Sequence, residues 1–596
     1  MGYRKCLICG AYFEGINGFC KDGYEGWREI GRKHTDGVFC SRECYEEWRD
    51  TKWERERAEK AAARAAEAAE ERAEAAERRA AEEAERRRKE EEHDRLLARC
   101  VNIDGAYYSQ DKTTLIEVDK MTRRLVVPEG VLEIADNACK ECKSLKSVTL
   151  PESLEEIGEA AFCFCSALTS VTIPKNVKKI GRWAFTGNEE TPSGLEEVTI
   201  EDGCSVIGQQ MFQSCTSLKS ITIPASVTEI GAYAFDECTA LKSVTLADGL
   251  TALGYGMFEG CEALESITIP DGITEIPDHA FVMCTALSSV TLPESVKKIG
   301  EGAFGGCTAL TSVDDLLLHV EEVGGYAFGE TGITEVTIPA NVKLREWKNE
   351  KKDTYYGVFA ECTSLKSATL AEGRRTGGGR LFKGCTALTS VTFPSTFKAL
   401  NRGIFQSCTA LQSITLPESA TKIDFNAFDG CAKLQSISIP AGVSEIKGSA
   451  FNDCKSLRSV VIPSGVTKIE KSTFKNCTAL ETLTIPATVK EFEERWLEGC
   501  TALKTVNVEG EGFSSEAASA LRTYLEDEFG KGTVKLGGSG VGAGALLGKL
   551  GGAAGGAKNA AGSLAQNENV QNVVNEAKDA FKKAFGGFGG LFGRKK

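Results

Sequence analysis

Two pairs of cysteines near the start of the chain have the spacing of a metal site. Cys6 and Cys9 are separated by two residues, and Cys40 and Cys44 by three. Thiolates held in pairs on tight turns suit tetrahedral Zn²⁺, and a bound metal allows a segment that is too small for a hydrophobic core to fold. We therefore predict a structural zinc site with four cysteine ligands in a finger-like module at residues 1–44.

The segment between the two pairs leaves the ligand set open. It contains Cys20 and His34, either of which could replace one of the four ligands. Unpaired thiols or disulfides are the alternative to a metal site. Residues 39–45, Phe-Cys-Ser-Arg-Glu-Cys-Tyr, resemble the second knuckle of treble-clef zinc fingers of the MYND or FCS kind. This resemblance implies that the last ligand lies on the first turn of a helix.

The remaining polar residues form no catalytic pattern. The chain has four histidines and lacks a glycine-rich phosphate loop in a strand-to-helix context. Its net charge is −14, and residues 100–530 alone carry 39 basic against 58 acidic side chains. Such an acidic body disfavours a general nucleic-acid-binding surface. We predict a protein that is not an enzyme and does not bind nucleic acid.

Most of the other cysteines recur at a fixed interval. From Cys362 to Cys500 one cysteine occurs every 23 residues. A fixed period indicates an array of structural repeats. The unit that starts at Pro270 is P-x-x-I-x-x-I-x-x-x-A-F-x-x-C-x-x-L-x-S-V-T-L, and it recurs about sixteen times between Pro128 and Val508.

The unit predicts a short strand followed by two turns. Residues 218–223 alternate apolar with small polar side chains, which is typical of a half-buried strand, and Pro224 ends the strand. The apolar residues of one unit, such as Phe235, cannot be buried by that unit alone, but stacked neighbours can bury them. The outward positions are nearly all Ser or Thr, so this face lacks the aromatic and charged residues that dominate binding surfaces.

The repeat unit resembles the BspA-like, Treponema-type class of leucine-rich repeats. The resemblance covers roughly two thirds of the chain. It implies an α/β repeat solenoid with parallel strands and about sixteen coils, here preceded by a small zinc finger and a long charged helix. It also implies a function in binding or adhesion rather than catalysis.

The repeat cysteines are interpreted as a reduced ladder in the core. Cysteine is frequently buried and behaves as a small apolar side chain, and parallel Cβ vectors on neighbouring coils suit disulfide geometry poorly. Disulfides between coils are the alternative. Reduced thiols and the lack of a secretory signal in the first residues predict a cytoplasmic location, and the cell surface is the alternative.

The array breaks its pattern at one large insertion between Val342 and Phe359. In the next coil the two inward positions are Arg374 and Gly377, so we expect this coil to be loosely packed. Aromatic and basic residues on a protruding loop can bind a protein or an anionic ligand, whereas the alternative is a tolerated loop without a partner. The predicted partner-binding residues are Trp347, Lys348, Lys351, Lys352, Tyr355, Tyr356, Arg374, Arg375 and Arg380.

Composition divides the chain into seven segments. Ala, Glu and Arg, which favour helices, predominate after Cys44, in an isolated charged helix or an Ala-lined coiled coil. The predicted segments are a zinc-finger-like module (1–44), this helix (45–100), an N-terminal cap (101–127), the repeat solenoid (128–509), a C-terminal capping helix (510–530), a Gly/Ala-rich linker (531–562) and a basic amphipathic tail (563–596).

The tail and the helix are candidate docking elements. Apolar residues of 563–596 fall on one helical face beside several lysines, which suits an anionic membrane surface or a groove in a partner. The alternative is that the tail packs on the acidic solenoid. Self-association through residues 45–99 or the tail is also considered. Three functions follow: an interaction scaffold that binds a protein partner, a cell-surface adhesin, or a subunit of a larger assembly.

Overall fold

The computed structural model describes residues 3–5, 12–14, 42–188, 190–349 and 354–537. The chain divides into two compact units, Met1–Arg99 and Cys100–Lys596. In the first unit, strands Tyr3–Lys5 and Tyr12–Glu14 pair antiparallel.

Helix α1 spans Arg42–Leu97. It begins before residue 45, so Cys44 lies in its first turn, and it ends before residue 100. The helix contains no Gly or Pro, and charged pairs four residues apart, such as Arg87 with Glu83 at 2.7 Å, support it. Its described side chains are almost all exposed.

The second unit is a solenoid in which most coils contribute a long and a short parallel strand. The long strands pair in register, so that Ser220 lies opposite Ser243 and Ile221 opposite Val244. Their side chains alternate between exposed and buried, as the sequence predicts. The long strands are Arg124–Val126, Ser147–Thr149, Ser170–Ile173, Glu197–Ile200, Ser220–Ile223, Ser243–Leu246, Ser266–Thr268, Ser289–Thr291, Glu335–Ile338, Ser367–Leu370, Ser390–Thr392, Ser413–Thr415, Ser436–Ser438, Ser459–Val461, Thr482–Pro486 and Thr505–Glu509.

The short strands form a second parallel ladder behind the first. In each of them one apolar residue, such as Ile276, points into the core. The coil that contains the short 3-10 helix Asp315–Leu317 has no long strand there. The short strands are Glu133–Ile134, Glu156–Ile157, Lys179–Ile180, Val206–Ile207, Glu229–Ile230, Glu275–Ile276, Lys298–Ile299, Glu322–Val323, Lys343–Leu344, Ala399–Leu400, Lys422–Ile423, Glu445–Ile446, Lys468–Ile469 and Glu491–Phe492.

A stack of phenylalanine rings runs through the core on the third side of the coils. Each ring comes from the Ala-Phe position of one repeat, and neighbouring ring centres are 5.0–6.2 Å apart with nearly parallel planes. Offset stacking of this kind adds about 0.5–1.5 kcal/mol per pair to the burial of the rings. The stack consists of Phe162, Phe185, Phe212, Phe235, Phe258, Phe281, Phe304, Phe328, Phe359, Phe382, Phe405, Phe428, Phe451 and Phe474.

The repeat cysteines form a second buried ladder beside the rings. The Cys238 thiol donates to the Phe212 carbonyl oxygen at 3.2 Å, and Cys408 makes the same bond to Phe382 at 3.1 Å. The described cysteines between residues 100 and 500 are free thiols. Burial raises the pKa of Cys238 and Cys408, which holds both in the protonated, unreactive form.

Both ends of the solenoid are covered. At the start, strands Val101–Ile103, Ala106–Tyr108 and Thr114–Val118 form an antiparallel meander whose last strand pairs with Glu133–Ile134. At the other end, helix α2 spans Ser515–Phe529. The Ser514 side chain accepts a hydrogen bond from the Ala517 backbone N–H, which caps the helix. The last described strand, Lys535–Gly537, pairs parallel with Thr505–Glu509.

Candidate functional site

The large insertion folds as a β-hairpin. Strands Trp347–Asn349 and Thr354–Tyr356 pair antiparallel, with Trp347 opposite Tyr356 and Lys348 opposite Tyr355. The phenylalanine stack continues past the insertion, since the Phe328 and Phe359 rings are 5.6 Å apart. The coil therefore accommodates the hairpin without a break in its core.

An aromatic cluster anchors the hairpin to the preceding coil. The Tyr326 ring lies 6.1 Å from Trp347 and 5.2 Å from Tyr356, and the latter two rings are 5.7 Å apart. Tyr326 is 4% exposed. A Cβ atom on the adjacent Gly325 would lie 2.0 Å from the Trp347 backbone nitrogen, so glycine is needed for this close approach.

Three basic side chains lie against the hairpin tyrosines. The Arg380 guanidinium is 4.9 Å from the centre of the Tyr355 ring, and the Lys348 ammonium is 5.8 Å from it on the exposed side. The Lys383 ammonium is 4.4 Å from the Tyr356 ring. These distances are within the range of cation–π attraction. We call Trp347, Lys348, Tyr355, Tyr356, Arg380 and Lys383 the hairpin patch.

Partly buried charges lie beneath the hairpin patch. Arg380 pairs with Glu346 at 3.2 Å. Burial raises the pKa of Glu361 to about 6, although Lys383 nearby opposes the shift. Burial also lowers the pKa of Lys383. The ion pair with Glu346 therefore holds the Arg380 guanidinium beside the Tyr355 ring.

The structure brings only part of the predicted partner-binding set together. Trp347, Lys348, Tyr355, Tyr356 and Arg380 form one surface. Arg375 is exposed but lies outside this surface, beside a separate groove formed by residues 340–345 and 374–378. Lys351 and Lys352 lie outside the described residues.

Arg374 differs from the sequence prediction because it is buried. It is 5% exposed, and its Nη1 donates to the carbonyl oxygens of Pro339 at 2.6 Å and Val342 at 3.1 Å. The space above Gly377 is filled as well, since a Cβ there would lie 2.6 Å from the Ile404 side chain. The expected loose packing of this coil is therefore not found. Arg374 takes the place of the usual Val, and the Ile404 side chain of the next coil fills the space left by Gly377.

A shallow basic groove of about 350 Å³ adjoins the hairpin on the short-strand side. Its walls come from residues 340–345 and from residues 374–378 of the next coil. Four of its lining residues are cationic: Lys343, Arg345, Arg374 and Arg375. We call this surface the basic groove.

Sequence reasoning missed the turn position just before each Ala-Phe pair. This residue has a positive φ in most coils: 58° at Tyr233, 61° at His279, 61° at Tyr326 and 49° at Arg380. Glycine occupies the same position without strain at Gly302. Bulky residues in a left-handed conformation cost free energy and are found at functional sites. The same conformation recurs at small residues of this position, such as Ser449 and Ser472, so here it reflects the geometry of the repeat.

The predicted zinc ligands remain untested by the structure. Cys6, Cys9 and Cys40 lie outside the described residues, and of Cys44 only the backbone, in α1, is described. Within the described residues, no group of three or more His, Cys, Asp or Glu side chains could hold a metal ion. In that same part of the chain, neither helix has an apolar stretch long enough to cross a bilayer.

The stacked parallel coils define the second unit as a leucine-rich-repeat solenoid. The family model described as the BspA type leucine-rich repeat region matches residues 120–242, 228–351, 274–412, 347–458 and 398–518. These matches together span residues 120–518 of the 596-residue chain. The chain belongs to this family.

Solved structures of other repeat proteins are similar to the chain. A leucine-rich repeat protein from Bacteroides ovatus is 25% identical, with 74% of this chain and 96% of that one covered and a TM-score of 0.45. A leucine rich cell surface protein from Faecalibacterium prausnitzii is 25% identical, with 71% and 97% covered and a TM-score of 0.31. The leucine-rich repeat protein of T. pallidum is 29% identical, with 35% and 88% covered and a TM-score of 0.26. A comparison with curated proteins found no match.

Proposed function

We propose that this protein is a non-enzymatic interaction scaffold that binds a protein partner through the hairpin patch. The observation that supports it best is the hairpin itself, where partly exposed aromatic rings and cations interrupt a solenoid whose strand face is Ser and Thr. Tyr, Trp and Arg are the residue types that contribute most to binding at protein interfaces. The buried Tyr326 fixes the rings in place, so little side-chain entropy is lost on binding.

The test is affinity capture from the native host followed by titration of the captured protein. The double variant Lys348→Ala/Tyr355→Ala should weaken binding at least tenfold, because loss of a tyrosine that acts as a hot spot costs about 2 kcal/mol or more. The control variant, Ser266→Ala/Thr268→Ala, alters exposed residues of the strand face and should bind like the wild type. Unchanged affinity of every captured partner for the hairpin variant would exclude the patch as the binding surface.

We also propose that residues 1–44 hold one structural Zn²⁺ through Cys6, Cys9, Cys40 and Cys44. Elemental analysis of the purified full chain should find about one zinc per molecule, since four thiolates bind this ion tightly. Cys9→Ser should remove the metal, whereas Cys100→Ser, which alters a cysteine outside the proposed set, should retain it. Full zinc content in the Cys9→Ser chain would contradict this ligand set.

The proposal also covers the cellular compartment of the protein and the roles of residues 45–99 and 563–596. The buried free thiols support a reducing, cytoplasmic compartment, and labelling of intact host cells distinguishes this from the cell-surface adhesin. Residues 563–596, proposed to contact an anionic membrane or a partner, lie outside the described residues. Sedimentation of chains that lack 45–99 or 563–596 tests self-association and the role of an assembly subunit.

A further inference from the structure

Arg374 in the basic groove is a buried cation without a counter-charge. The two hydrogen bonds of its Nη1 go to backbone carbonyls, and its Nε is buried without a hydrogen-bond partner among the described residues. Burial alone lowers the pKa of this guanidinium to about 10. A buried charge without a partner is costly, and proteins usually pair it.

Several cations of the array are neutralised by a carboxylate of the neighbouring coil. Lys219, for example, pairs with Glu196 at 3.0 Å and Lys298 with Glu275 at 3.1 Å, in each case at the same position of the preceding coil. In the basic groove only Arg345 has such a partner, Glu322 at 2.9 Å. Within the described residues, Lys343, Arg374 and Arg375 have no carboxylate within ion-pairing distance.

The groove therefore brings together three cations that form no ion pair within the described part of the chain, in an otherwise acidic solenoid. Lys343 and Arg375 are exposed and line it from neighbouring coils, while Arg374 forms part of its wall. An anion seated between them would supply the counter-charge that the buried Arg374 lacks. The carbonyls of Pro339 and Val342 hold the Arg374 guanidinium in a fixed orientation, which suits recognition of oxygen atoms on an anion.

We propose that the basic groove binds an oxyanion of the phosphate class, with Arg374 as the buried donor and Arg375 and Lys343 as the flanking cations. A phosphate group carries a charge of −1.5 to −2 at neutral pH and three strong acceptor oxygens, so it matches three cations better than a single carboxylate does. Free phosphate and a phosphorylated side chain of a partner present the same chemistry. This inference goes beyond the proposed function, because it requires no contact with the hairpin patch.

The test is calorimetric titration of the full chain at constant ionic strength. The titrants are inorganic phosphate, a phosphoserine peptide and the same peptide without phosphate. We expect saturable binding of one phosphate group per chain. Arg375→Gln should weaken it at least tenfold, because an exposed cation is removed without change to the core. Lys398→Gln is the matched control, since Lys398 is an exposed cation at the same repeat position 23 residues further on and lies outside the groove.

The comparison of titrants identifies the source of the phosphate group. Tighter binding of the phosphoserine peptide than of inorganic phosphate supports a phosphorylated partner, and equal binding supports the free ion. Arg374→Lys keeps the charge but loses the oriented guanidinium, so it should also reduce affinity while circular dichroism confirms the fold. The proposal is overturned if neither phosphate titrant binds saturably, or if Arg375→Gln binds as tightly as Lys398→Gln.

Discussion

Replacement of Phe281 by alanine is expected to lower the free energy of unfolding by about 3–5 kcal/mol. The ring is fully buried and stacks on both sides, 5.7 Å from Phe258 and 5.2 Å from Phe304. Its removal leaves a cavity that neighbouring coils cannot fill without breaking their own hydrogen bonds. Because each repeat contacts only its neighbours, the variant should also weaken the coupling between the two parts of the array. Urea unfolding should then show a lower midpoint and a broader transition.

The matched control is Phe425→Ala. Phe425 belongs to the same repeat array, but its side chain is 42% exposed and lies outside the ring stack. Its replacement should change the free energy of unfolding by less than about 1 kcal/mol, as is usual for surface substitutions. An equal loss in both variants would mean that the ring stack contributes nothing special to the stability of the solenoid.

The fold was predictable because a period of 23 residues repeats every physical requirement many times. The Ser and Thr positions predicted one exposed strand face, and the Ala-Phe and Cys positions predicted a buried ladder; the family comparison confirms the solenoid. The sequence of a single coil would not have been enough to predict the fold. Its strands are only two to five residues long, which is too short for a reliable prediction in isolation.

The candidate site was predictable only in part, because it depends on contacts across an insertion of unique sequence. Lys348 and Tyr355 can be recognised as candidates from the residue types of the insertion, but the antiparallel hairpin and its contact with Tyr326 depend on the position of the preceding coil. The role of Arg374 could not be predicted from the sequence either. In sequence it interrupts an apolar position, and only the structure shows that backbone carbonyls accept its hydrogen bonds.

Two acidic residues that directly follow rings of the phenylalanine stack predict that the free energy of unfolding depends on pH. Burial raises the pKa of Asp236 from 3.8 to about 7 and that of Glu259 from 4.5 to about 8, and the negative charge of Glu237 adds to both shifts. Asp236 is 7% exposed and accepts a hydrogen bond from Gln213 at 2.7 Å. The folded chain therefore keeps protons on both carboxyls that the unfolded chain releases above about pH 4–5.

The sign of the effect follows from this difference in bound protons. Between pH 5 and the raised pKa values the folded state binds more protons, so its stability decreases as the pH rises, by up to about 1.4 kcal/mol per pH unit for each group. His279 acts in the opposite direction below about pH 6.5, since burial lowers its pKa to about 4. A comparison of variants at each pH removes this contribution.

The double variant Asp236→Asn/Glu259→Gln should become increasingly stable relative to the wild type as the pH rises. Its amides resemble the protonated carboxyls and do not titrate, so we expect the difference in free energy of unfolding to grow by on the order of 6 kcal/mol between pH 5 and pH 8. Urea unfolding at four pH values measures this difference. Asp248→Asn, an exposed position in the same region, should show no such trend. A constant difference across the range would mean that both carboxyls are ionised in the folded protein. Water would then have to reach and solvate them.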